Sequence, residues 1–334
     1  MIFPWQATHW EQLAARLDRL PHALLIQARP GVGAVEFGRY LAQTLLCENR
    51  QTGGFACGAC QACNWFSQGN HPDFRRLQPE SMAPESEDES PSKKEKKKSD
   101  QIKIEQIRAT EGFLAVGTHR GGARVILIDP ADAMNPTAQS ALLKNLEEPP
   151  PGTVYLLVTS RPQRMLPTIR SRCRAVPMGI PPAEAALAWL RSEGVDDAES
   201  ALAASAGAPF AALAAAELEP ARREFLGKLA DPSADPIALA QACDVLEPAL
   251  VVGWLQRWVY DLLSVRLSGR IRYNAAAKAA LERLGPAQDP SALTRLLRKL
   301  SEARGLAQHP LNTRLFFEDL LMQYRAAMTR PAGR

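Results

Sequence analysis

The sequence lacks any apolar stretch long enough to span a bilayer, and its opening residues, MIFPWQATHW, show neither a basic segment leading into an apolar one nor a cleavage site. These absences argue against a membrane-spanning helix and a secretory leader, so a soluble, cytoplasmic chain is expected. Strong charge of one sign is missing too: the 334 residues carry a formal net charge of +4. That excess permits contact with nucleic acid but falls short of a dedicated DNA-binding footprint. No repeat of fixed period is evident. The six cysteines are not expected as disulfides in a reducing compartment.

What is present points to several domains, since a chain of this length with 46% apolar residues can bury more than one core. Ala23 to Gln27 reads as a buried strand, Ala28 to Gly33 as a loop and Val35 to Leu46 as a helix, the opening of a βαβ fold. Arg124 to Ile128 and Val154 to Thr159 read as further buried strands. Between them Asn135 caps a helix, Pro136 suits its first turn, and Ala138, Ala141, Leu142 and Leu146 form its inner stripe before Pro149 to Pro151 stop it. Strands alternating with helices predict a parallel sheet covered on both faces. Residues 80–100 are an acidic block followed by a lysine block, with too little apolar surface to offset ordering entropy; a disordered surface insertion is expected there. After Pro177 the pattern is helical only: an alanine-rich set to Ala216, then longer amphipathic helices including Ala249 to Leu267, Ser291 to Gly305 and Thr313 to Ala327.

The loop Ala28 to Val35 sits in register with a phosphate-binding loop, with Gly31 and Gly33 at its turns. The places of the phosphate-binding lysine and the magnesium-binding hydroxyl hold Ala34 and Val35, which supply neither. Asp129 ends the strand that would carry a magnesium ligand, and the next position, where an acid would orient water, is Pro130. Productive ATP binding is therefore not expected. Cys57, Cys60 and Cys63 stand at two-residue gaps, with Cys47 at the end of the preceding predicted helix. Four thiolates without an open position suit a structural tetrahedral zinc; the rival iron–sulfur run would continue into a further Cys-Pro that this chain lacks. Cys173 and Cys243 read as buried small residues, and His71 beside Pro72 as a turn residue.

The degenerate loop, IEQIR at 104–108, AQSALLKNLEEPP at 138–150 and TIRSRC at 168–173 together resemble the clamp-loader AAA+ family of bacterial DNA polymerase III, over nearly the whole chain. The resemblance implies a RecA-like AAA+ parallel sheet with an embedded four-cysteine zinc module (residues 1–179, module 47–63), a helical lid (180–216) and a helical collar (217–334). It implies a ring with γ/τ and δ subunits in a hetero-pentamer acting on the β clamp and primer-template DNA, with structural Zn2+ and no ATP chemistry of its own. Ser171, Arg172 and Cys173 match the motif whose arginine reaches a neighbour's ATP as a finger, with Arg170 and Arg174 close enough to share that work. Phe210 stands where motor subunits carry the second sensor arginine, and Thr159 at the first sensor. Two other classes remain: an independent AAA+ ATPase, which predicts turnover by the lone chain, and a zinc-dependent nucleic-acid binder, which predicts salt-sensitive DNA affinity through the cysteines or the lysines between 93 and 98.

Overall fold

Three of the apolar runs form the centre of one sheet. In the computed structural model, which describes residues 1–83, 99–119, 122–231, 234–307 and 312–328, they are β1 (Ala23–Ala28), β3 (Arg124–Ile128) and β4 (Thr153–Thr159). The sheet's edges are β2 (Phe74–Leu77) and β5 (Arg174–Met178), neither of which the apolar pattern foretells. All pairs are parallel, in the order β2-β3-β4-β1-β5. Successive side chains of a strand face opposite ways, so each central strand feeds two cores. Leu24, Ile26, Leu127 and Leu156 pack with Phe37, Leu41 and Leu45 of α2 (Ala34–Leu46) and with Trp10 of α1 (Ala7–Ala14). Leu25, Ile126, Ile128 and Leu157 pack on the other face with Ile107 of α4 (Ile104–Ala115), Leu142 and Leu146 of α5 (Pro136–Glu147) and Ile169 of α6 (Pro167–Arg172). A parallel sheet has to be covered on both faces in this way because its crossovers are helices.

Local signals fix the helix ends. Asn135 accepts from the Ala138 backbone N–H at 2.8 Å and Pro136 occupies the first turn of α5, as its sequence predicts. Cys60 does the same for the short α3 (Gln61–Ser67), its sulfur accepting from Cys63 N. Of the charged insertion expected at 80–100, residues 84–98 lie outside the described residues, and the two ends are ordered. Glu80–Met82 form a 3-10 turn, Ser81 N donates to Ser99 O at 3.2 Å, and Lys103 pairs with Glu80.

The chain divides into two compact units, residues 1–185 and 186–334. The second takes in most of α7 (Ala183–Ser192), then α8 (Ala198–Ala204) and α9 (Pro209–Ala216), which share a small core of Ala186, Leu190, Leu202 and Ala212. A larger core follows, built by α10 (Glu219–Leu229), α11 (Pro236–Ala242), α12 (Pro248–Ser268), α13 (Lys278–Leu284), α14 (Pro290–Leu306) and α15 (Thr313–Met328). Its centre is Trp258, fully buried on α12, whose indole N–H donates to the Tyr324 hydroxyl at 2.9 Å; that hydroxyl donates in turn to Leu229 O at 3.0 Å. Among the described residues no helix is long and apolar enough to cross a membrane.

Removing the hydroxyl with Tyr324→Phe leaves a buried indole N–H and a buried carbonyl without this partner. The expected loss is about 1–3 kcal/mol of stability, read from the urea midpoint of tryptophan fluorescence. An unchanged midpoint refutes the role assigned to this relay.

Candidate functional site

The loop Arg29–Gly33 joins β1 to α2 at the carboxyl edge of the sheet, where ligands bind in open parallel sheets. Gly31 and Gly33 take positive φ, 80° and 90°, and Gly33 caps α2. The loop's carbonyls are already engaged from within the chain: Trp5 Nε1 donates to Val32 O at 3.1 Å and the fully buried Gln6 amide to Gly33 O at 2.8 Å. Ala34 is buried and Val35 half-buried, so the helix start presents a methyl and an isopropyl group.

Asp129 lies just past β3, 2% exposed, and its neighbour Pro130 follows a cis peptide. Both carboxylate oxygens are taken by Arg76 of β2, Nε to Oδ1 at 2.9 Å and Nη2 to Oδ2 at 2.7 Å. This fork-to-fork geometry is the strongest arrangement open to the two groups, and the carboxylate holds the guanidinium's pKa above its ordinary value. Asp132 is equally committed. It accepts from Thr159 Oγ1 at 2.7 Å, Ser160 N at 3.2 Å and Arg161 Nε at 2.8 Å. Burial pushes its carboxyl up, but these donors outweigh that push and hold it below the usual carboxylate range. Thr159 is therefore a donor in a closed polar cluster at the strand ends. Sequence reasoning missed Arg76 and Arg161, since the short strand FRRL that carries the first shows no apolar run and both pairings are made only by the tertiary fold.

Ser171 and Arg172 end α6 on the surface, with Arg170 and Arg174 also exposed. Ser171 Oγ donates to Thr168 O at 3.0 Å. The Arg172 guanidinium donates to Thr168 O at 3.1 Å and pairs with Glu147 of α5 at 2.6 Å, with side chains 36% and 50% exposed. Cys173 packs beneath, where burial raises its thiol to about 11. In the second unit Phe210, at the start of α9, packs against Trp189 of α7 with ring centroids 4.8 Å apart and the ring planes tilted by 38°.

The four clustered cysteines meet as their spacing predicts. All four sulfurs lie within 4.8 Å of one another, with Cys47–Cys60 and Cys57–Cys63 at 4.0 Å. A tetrahedral ion with bonds of about 2.3 Å sets its sulfurs roughly 3.8 Å apart, so the set fits a closed four-sulfur metal site. Backbone N–H groups of Ala59 and Cys60 draw Cys57 down to about 6, whereas burial and then Cys60 push Cys63 up. Four thiolates this close repel one another, and a cation among them relieves that repulsion. The module is seated on α1 through Trp10, which donates to Gly53 O at 3.2 Å and stacks on Phe55. Gly54 makes the seat possible: at φ 75° a Cβ there would meet Leu17 Cδ1 at 2.7 Å. His71 is buried in the turn before β2, its Nδ1 accepting from Asp73 N at 3.0 Å, and is not one of the four clustered ligands.

The Arg76–Asp129 pair generates a prediction. Arg76→Met strands a buried carboxylate and is expected to cost on the order of 3 kcal/mol in chemical denaturation, whereas Arg76→Met with Asp129→Leu recovers most of the loss. Equal stability of the single variant and the parent argues against the pair as a structural tie.

Residues 5–181 match the family described as DNA polymerase III, delta subunit, and residues 217–326 match its C-terminal counterpart. The DNA polymerase III subunit delta′ of Pseudomonas aeruginosa is 34% identical over 80% of this chain and 79% of that protein. The delta′ subunit of Escherichia coli is 32% identical over 96% of this chain and 94% of its own length. Among solved structures, the DNA polymerase III gamma subunit-related protein of Thermotoga maritima aligns at 18% identity and a TM-score of 0.45, over 96% of this chain and 99% of that one. With family matches in both units and identity to delta′ subunits running almost end to end, the chain belongs to the DNA polymerase III subunit delta′ family.

Proposed function

We propose that this chain is a non-hydrolysing subunit of a sliding-clamp loader, assembled with γ/τ and δ in a hetero-pentameric ring that loads the β clamp on primer-template DNA. The observation that carries the reading is the neutralised carboxylate at the sheet edge. Where a motor subunit holds magnesium, Asp129 is clamped by Arg76, and Ala34 and Val35 offer a phosphate neither ammonium nor hydroxyl. ATP is then consumed by the neighbours, and nucleotide addition belongs to the polymerase assembly as a whole. A cytoplasmic location follows from that role.

In this reading the chain's contribution to catalysis is Arg172, reaching in trans to a neighbour's γ-phosphate. Its fork of donors and permanent charge suit the equatorial oxygens on which charge builds. Its exposed contact with Glu147 is worth about 0–1 kcal/mol, so releasing the arginine to a triphosphate costs little. Ser171 steadies the end of α6 through Thr168, and Cys173 anchors it to the core. Residues 180–216 act as a lid whose Phe210 is packed on Trp189 instead of facing phosphate, and residues 217–334 as the collar. The metal at Cys47, Cys57, Cys60 and Cys63 is Zn2+, closed and structural, seating its loop on α1.

The test is ATP turnover by the purified chain alone and in a mixture with γ/τ, δ, clamp and primed DNA. No turnover alone is expected, and Arg172→Ala is expected to leave the ring assembled while slowing hydrolysis at the one adjoining site by a factor on the order of 10³. Turnover by the lone chain returns the independent-ATPase reading; unchanged hydrolysis with Arg172→Ala removes the finger. Cys60→Ser is expected to release about one equivalent of zinc from the purified chain by elemental analysis and to lower its melting temperature. Full zinc content at undiminished stability takes Cys60 out of the site.

A further inference from the structure

Between Asp261 and Glu282 the chain carries no acid and four cations: Arg266, Arg270, Arg272 and Lys278. The centre of this stretch is the turn from Gly269 to Asn274, which follows α12. Gly269 closes the helix at φ 68°, its N–H donating to Val265 O at 3.0 Å. The turn's inner side is then fixed by one carboxylate. Asp261, with no exposed surface, accepts from the backbone N–H groups of Arg272 at 2.9 Å, Tyr273 at 3.1 Å and Asn274 at 2.8 Å, and from the Asn274 amide at 2.8 Å. Arg222, paired with Glu219, donates to the other end of that amide at 2.6 Å.

The outer side of this pinned turn is basic and aromatic. Arg270 and Arg272 are exposed, the Arg272 guanidinium lies 5.6 Å from the Tyr273 ring centroid, and Tyr260 meets Tyr273 edge-on at 5.3 Å. None of the ion pairs formed among the described residues of the second unit uses Arg257, Arg270 or Arg272. Arg257, one turn before Tyr260 on α12, has its charge disfavoured by burial and then by the fields of Arg222 and Arg304. Apart from the buried Asp261 on the inner side, no carboxylate among the described residues pairs with Arg257, Arg270 or Arg272 beside the two tyrosine rings. The Asp261 network sets the shape of the turn without using the side chains of Arg270 or Arg272.

We infer that the turn Gly269–Asn274 is a contact for single-stranded nucleic acid, with Arg270 and Arg272 on phosphates and a base stacked at Tyr260 and Tyr273. Fixed cations bind the strand's regularly spaced charges, and aromatic faces take unpaired bases of any identity. An acidic polypeptide satisfies the arginines but leaves the rings without a flat partner. A turn pinned at three backbone positions loses little freedom on binding. The contact belongs to this chain alone and does not depend on the clamp-loader reading.

The experiment is fluorescence anisotropy of the full lone chain with a labelled oligothymidylate and, in parallel, an oligoglutamate of equal charge, from about 50 to 200 mM salt. The double variant Arg270→Ala/Arg272→Ala is expected to weaken oligothymidylate binding at least tenfold at low salt. The slope of log affinity against log salt falls by about 1.4, for two phosphates lost from a single strand. Tyr260→Ala is expected to weaken binding several-fold with the slope unchanged. All three side chains are exposed, and circular dichroism melting verifies that the variants fold. Loss of affinity confined to the lysines between 93 and 98, equal affinity of parent and double variant, absence of binding by the parent, or oligoglutamate bound as tightly as the oligothymidylate each overturns the inference.

Discussion

Burial of the three central parallel strands on both faces is the constraint to which the N-terminal unit answers. It leaves the sheet only its ends for polar chemistry, and the carboxyl end gathers Asp129, Asp132, Thr159 and the glycine loop. In a buried position each polar group needs a partner, since an unmet donor or acceptor there costs about 1–3 kcal/mol. Here the partners come from the chain itself. Arg76 neutralises Asp129, Arg161 neutralises Asp132 while Thr159 donates to it, and Trp5 and Gln6 hold the loop carbonyls.

The central strands were legible because burial on both faces writes a continuous apolar run, as in RVILI of β3 and TVYLLVT of β4. The edge strands were not. FRRL of β2 is only half-buried, and RAVPM of β5 contains a proline that an edge tolerates, so neither shows a run or a clean alternation. The helical second unit was readable to within a residue or two at its long helices, because α12, α14 and α15 each carry a sustained apolar stripe.

The candidate site divides along the same line. Cysteine spacing announces the cluster because two overlapping C-x-x-C turns bring Cys57, Cys60 and Cys63 together locally, and Cys47 at the end of α2 joins them as the fourth sulfur. The seat of that module was invisible, since Trp10 and Gly54 meet only once the fold is made. Arg76 was hidden for the same reason: its partner lies 53 positions away, and only the parallel register of β2 on β3 brings the two side chains together. Pairings made by tertiary structure leave no periodic trace in a single sequence.

The relay from Trp258 through Tyr324 to Leu229 has a bearing on how the chain comes off the ribosome. Tyr324 lies 95 positions beyond Leu229, and its helix completes the core on which α10 and α12 rest. The N-terminal sheet, by contrast, has all its strands by Met178. Synthesis therefore delivers every strand of the sheet before α15, on which the larger helical core depends, has been made.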